Sequence, residues 1–193
     1  MNTQDFKHCL LYAIFLLIFA VALLTSAESR EAEEIAEILQ HAEILFVAEQ
    51  YHESYQLYRK VFDVDPLNQQ ALARVLDMAV RYRELAEGAR QAGDTEHVNI
   101  YQRAFQQIVR YLLTVLTAQF ERDVKKYTTL SAKEKEQQRA EASVILLRMI
   151  DALQYIKTIY EQFQQEEAET AQTIKRLQRA IETYQQERSA YTQ

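Results

Sequence analysis

Three short patterns in this chain carry residue types that could do chemistry. Glu49-x-x-His52 places a carboxylate and an imidazole one helical turn apart, the spacing that di-iron carboxylate helices use, and Asp94-x-x-His97 repeats it. Such a centre needs four helices presenting carboxylates and histidines inward at mid-height. Here both pairs fall at expected turns or helix starts, so the spacing alone makes no metal site. The third candidate is His41. It faces an apolar helical stripe and is expected to be a packed, hydrogen-bonded histidine rather than a ligand or base.

Other reactive constellations are missing from the sequence. There is no Gly-rich phosphate loop, no HExxH, no G-x-S-x-G and no Cys–His pairing. Cys9 is the single cysteine, which rules out an intramolecular disulfide. Phe6-Lys7-His8 before it lacks the small and aliphatic residues of a bacterial lipoprotein signal. The twelve tyrosines fall mostly at helical spacing beside aliphatic residues, as core or groove residues do. A non-enzyme without cofactors is the expectation.

The elements that must position any functional surface are helices. The 193 residues include only two glycines and one proline, with 48% hydrophobic and 26% charged residues. Ala, Glu, Gln, Leu and Arg dominate, and all are good helix formers. The expected fold class is all-α. A net charge of −6 and a pI near 5.3 speak against a nucleic-acid partner, which wants a basic face. The short cationic pairs Arg81/Arg83 and Lys125/Lys126 are flanked by acids and read as solvated helix surface.

Leu10 to Leu24 is an unbroken apolar run of fifteen residues after Lys7 and before Thr25-Ser26-Ala27. This length and its small-residue flank describe a secretory signal peptide over 1–27, cleaved after Ala27. The alternative is an uncleaved anchor, for which about 20 apolar residues are wanted. Either reading exports the rest, and the acid-rich ESREAEEIAE suits the outer side. The expected location is a bacterial periplasm or cell envelope.

From Ser29 onward, Ile35, Ile38, Leu39, Ala42, Leu45 and Phe46 form one stripe at steps of three and four. A second helix is expected over about Tyr51–Asp63. A third follows from about Leu67 to Gln91, capped by Asp65 with Pro66 at its first position. Its stripe is Leu72, Val75, Leu76, Ala79, Tyr82 and Leu85. Ala92-Gly93-Asp94 closes that helix and caps a fourth, which carries Val98, Tyr101, Phe105, Ile108, Val109, Leu112, Leu116 and Phe120. The pattern lapses near Thr128 to Leu130, where Ser131 and Glu134 make a capping box. Beyond it lie two stripes, Ile145/Met149/Ala152/Ile156/Ile159/Phe163 and Ile174/Leu177/Ile181/Tyr184. They belong to one very long helix or to two that break near Glu167 to Thr170 and fold back as a hairpin.

The stretch from Ile35 to Asn68 resembles a tetratricopeptide repeat, a helix–turn–helix unit of 34 residues. With Pro66 at the family's proline, Ala42 stands at the small position of the first helix and Ser54 at that of the second. Tyr58 takes the large aromatic position and Val61 the second small one. His41, Leu45 and Glu49 depart from the pattern, replacing a leucine, a tyrosine and the turn glycine. A second, degenerate unit follows from Gln69 to about Phe105.

The resemblance implies antiparallel helix hairpins of the α-solenoid type over 28–128, capped by long C-terminal helices over 129–193. It also implies a concave face lined by first-helix residues: Ala36, Leu39, Glu43 and Phe46, then Gln70, Ala73, Asp77 and Val80. Such a groove would take an apolar or basic helix or peptide, unless the C-terminal helices fill it themselves. Three function classes follow. The first is a non-enzymatic scaffold or adaptor of the envelope with unidentified protein partners. The second is an oligomerising coiled-coil spacer driven by 131–191, and the third a ligand-sensing helical bundle.

Overall fold

The structure is a computed structural model that describes residues 30–163 and 168–192. The described residues form seven helices and no strand. They are α1 (30–47), α2 (Tyr51–Val64), α3 (Gln69–Gln91), α4 (Thr95–Thr129), α5 (Ala132–Gln137), α6 (Arg139–Phe163) and α7 (Ala168–Thr192). The all-α expectation holds. The run Leu10–Leu24, Cys9 and the cleavage region near Ala27 lie outside the described residues. No described helix is long and apolar enough to cross a membrane.

Two helix ends are built alike. At the close of α1, the N–H of Gln50 donates to the carbonyl of Leu45 and that of Glu49 to Phe46, at 2.9 and 3.0 Å. At the close of α3, Asp94 donates to Ala89 and Gly93 to Arg90, at 2.9 and 3.1 Å. Both are Schellman motifs, which hold one residue in the left-handed region and use up orphan carbonyls. Gly93 occupies that residue in the second, at φ 75°, and Glu49 in the first, at φ 60°.

The start of α3 corrects the expectation there. Asn68 is the cap, its Oδ1 accepting the N–H of Ala71 at 3.0 Å. The Asp65 carboxylate instead accepts from the Leu67 N–H and from Asn68 Nδ2, at 3.2 and 3.3 Å. Pro66 therefore lies inside a turn, and α3 begins at Gln69 rather than near Leu67. The other two caps fall where expected. Asp94 accepts the His97 N–H at the head of α4, and Ser131 and Glu134 form the reciprocal box at the head of α5.

The chain's contacts group into two compact units, Met1–Tyr58 and Arg59–Gln193, with the boundary inside α2. In the first, α1 and the start of α2 form a hairpin around Ala42 and Ser54, both fully buried. The Ser54 hydroxyl donates to the Ala42 carbonyl at 2.7 Å. This bond lets a polar side chain sit where the two helices come closest. Tyr58 is buried one turn further along, its hydroxyl donating to Glu43 at 3.2 Å.

In the second unit α3 packs on the first half of α4, and α6 packs on α4 and α7. Helix α6 runs antiparallel to α4: Phe163 meets Phe105 at 5.4 Å between ring centroids, while Arg148 reaches Asp123. Helix α7 returns along α6, where Arg188 bonds Ser143 and Arg139 bonds the Ala190 carbonyl. Of the two expectations for this segment, the hairpin is the one found. Residues 164–167, between α6 and α7, lie outside the description. Tyr127, Ala142, Ile145, Leu146 and Met149 form one buried cluster, and Ile150, Leu153 and Ile181 another.

Candidate functional site

The eight groove residues lie on α1 and α3, and each helix presents its four differently. On α1, Ala36 is exposed while Leu39, Glu43 and Phe46 are half-buried. Glu43 accepts the Tyr58 hydroxyl, and the Phe46 ring lies 5.6 Å from that of Tyr51. Those two side chains are thus tied into the α1–α2 hairpin. On α3, Gln70, Ala73 and Asp77 are exposed and Val80 is half-buried. Asp77 pairs with Arg74 at 3.3 Å. The opposite face of α3 carries the buried residues Ala71, Leu72, Val75, Met78, Ala79 and Ala86. Leu85, expected in that stripe, is instead exposed, and its neighbour Ala86 is buried, as is Met78 two turns earlier.

His41 is exposed, which overturns its reading as a packed core histidine. The reason is rotational: α1 buries Ala42 against Ser54 and turns the neighbouring position outward. Glu49 stands on the Schellman turn and His52 in the first turn of α2, and both are exposed. The Asp94–His97 pair is a helix cap. Asp94 Oδ1 accepts the His97 backbone N–H at 3.1 Å and Oδ2 meets the His97 ring at 2.7 Å. Those bonds, the backbone one first, hold the Asp94 carboxyl below its ordinary value. Among the described residues no group of three or more His, Cys, Asp or Glu is placed to hold a metal.

Two polar clusters in the second unit went unread in the sequence. Gln119 and Asp123 are 1% and 5% exposed on α4. Gln119 Nε2 donates to Asp123 Oδ2 at 2.6 Å, Arg148 Nε donates to the same oxygen at 3.3 Å, and Arg122 donates to Gln119 Oε1 at 3.2 Å. The network joins α4 to α6 and satisfies its buried carboxylate. At the foot of α4, the Tyr127 hydroxyl donates to Glu187 at 2.5 Å and meets Tyr191 at 3.1 Å, while the Lys135 ammonium lies 3.8 Å above its ring. Burial, then the Glu187 and Tyr191 bonds, pushes the phenol far above its ordinary range. The two bonds tie the foot of α4 to the last turns of α7. The Gln119–Asp123 step of four was visible on α4, but nothing local announces Arg148 as its partner.

Two surface clefts lie among the described residues. One of about 430 Å³ is lined by Arg103, Gln106, Gln107, Arg110, Tyr111 and Thr114, all on α4. The other, about 390 Å³, lies between α3 and α4 beside Arg83, Arg90 and Phe105. The Arg83 guanidinium is engaged there, lying 5.5 Å from the Phe163 ring centroid and donating to the Gln162 carbonyl at 2.9 Å. Neither cleft sets a nucleophile beside a base. Comparison of the chain with protein-family models, with curated proteins and with solved structures finds no match.

Proposed function

We propose that this chain is a non-enzymatic protein–protein interaction scaffold or adaptor of a bacterial cell envelope, built on tetratricopeptide-like helix hairpins. The observation that carries the proposal is the α1–α2 hairpin. Ala42, Ser54 and Tyr58 are its fully buried contact residues, and they are the positions the repeat resemblance assigns to helix–helix contact. The serine-to-carbonyl bond and the Schellman turn at Glu49 supply the close approach such a unit requires. Export rests on the apolar run Leu10–Leu24 and its small-residue flank.

The exposed residues of α1 and those of α3 are then partner surfaces, each accepting an apolar or basic helix or peptide. The spacer reading loses support from the α6–α7 hairpin, since two helices folded on each other and on α4 leave no long free coil. A cross-linking pull-down from the native envelope tests the proposal, run with the full chain and with an A36R/A73R variant. Both positions are exposed, so the variant keeps its fold. A defined set of envelope proteins captured by the wild type and lost with the variant supports the scaffold reading. No capture, or an unchanged set, overturns it.

A further inference from the structure

The charge of this chain is unevenly distributed. Residues 97–120 of α4 contain no Asp or Glu, although the chain as a whole carries −6. The two arginines of that stretch, Arg103 and Arg110, are both exposed and line one cleft. Among the described residues no carboxylate pairs with either of them. The cleft includes the Tyr111 ring, which is engaged from one side by the Arg59 guanidinium at 4.9 Å and by Phe62 at 6.3 Å between centroids. It is therefore a partly apolar trough with two available cations on its rim.

Seven residues of helix place Arg103 and Arg110 about 10 Å apart along α4. One phosphate or carboxylate cannot bridge that distance; a helix bearing carboxylates over about two turns can, and residues 31 to 37 of α1 span about 9 Å. The same sequence supplies one. Glu33, Glu34 and Glu37 share a face of α1 at three- and four-residue spacing, with Glu31 at its edge. All four are exposed, and among the described residues no cation pairs with them. The apolar positions Ile35, Ile38 and Leu39 lie alongside, matching the mixed character of the trough.

We propose that the acidic first turns of α1 in one copy dock in the Arg103–Arg110 cleft on α4 of a second copy. The contact is head-to-tail, joining different surfaces of the two molecules, so it extends into open chains unless the rotation closes a ring. Two rim cations are too few for a nucleic-acid backbone, and the net charge of −6 repels such a partner at range. The attraction is local and salt-sensitive.

The test is co-capture between two differently tagged copies of the full chain in one nonionic detergent. Wild-type copies capture each other at about 0.1 M salt and separate at about 1 M, where the Debye length shrinks from about 10 to about 3 Å. R103E/R110E in both copies lowers capture about tenfold or more, since like charges then face each other. The same change in one copy only leaves capture in place, because the wild-type copy still offers its cleft to the variant's acids. Adding E33R/E37R to R103E/R110E restores capture. Circular dichroism checks that the exposed substitutions leave the helices formed. Absence of wild-type capture, salt-independent capture, or indifference to the double reversal overturns the proposal. Equal loss with one or two reversed copies overturns its head-to-tail geometry.

Discussion

Glu49 stands in the left-handed region at φ 60°, a conformation whose Cβ clash costs an L-residue about 1–2 kcal/mol. Gly93 holds the matching place after α3 without that cost. Glu49→Gly should therefore stabilise the α1–α2 hairpin by about 1 kcal/mol in chemical denaturation. An unchanged midpoint would mean that the Glu49 side chain compensates through another contact.

Asp151 on α6 gives the pH response. Burial raises its carboxyl above the ordinary value, and the charge of Arg188 works weakly the other way. A raised folded value favours the fold at pH below the unfolded value of 3.8 and is lost as pH rises through the folded one. At neutral pH the ionised group opposes folding, so Asp151→Asn should raise the melting temperature at about pH 7 and leave it unchanged near pH 3. Asp94 and Glu134 behave oppositely. Their capping bonds lower both carboxyls, so what they contribute is present at neutral pH and lost as the pH falls through their folded values.

At the scale of elements, the hairpins differ in what holds them. The α1–α2 pair depends on close approach at Ala42 and Ser54, so Ala42→Leu should cost about 1–3 kcal/mol by overpacking. The α6–α7 pair combines apolar and polar contacts. Leu146→Ala should cost about 2–5 kcal/mol as a buried truncation. Tyr127→Phe should cost only about 1 kcal/mol while speeding amide exchange in the last turns of α7, where Glu187 and Tyr191 lose their partner. Uniform exchange along α7 would show that its end is held by something else.

The helices were legible because few glycines and prolines interrupt long three- and four-residue periodicities, and because Gly93, Asp94 and Ser131 mark their ends chemically. Two things escaped. At the head of α3 both Asp65 and Asn68 can cap, and only the turn around Pro66 decides between them. The rotation of α1 that exposes His41 follows from the Ala42–Ser54 contact, and periodicity cannot fix a helix's roll to within one residue. For the same reason the Gln119–Asp123–Arg148 network was unreadable, since its third member sits on another helix 25 residues away in sequence.

For the molecule as a whole, the proposed function divides duties among the helices. Arg59–Gln193 holds the large helical core, in which α7, α6 and α4 bury one another's apolar faces. The proposed scaffold assigns partner recognition to exposed positions on α1 and on α3, and a structural part to α6 and α7. Photo-cross-linking in cells tests this division most directly, with the reactive residue placed at Ala36 or Ala73 and, as a control, at Gln186 on the exposed side of α7. The scaffold account predicts discrete heavier adducts in the envelope fraction from Ala36 and Ala73 and none from Gln186. Adducts from Gln186 alone, or from no position, would contradict it.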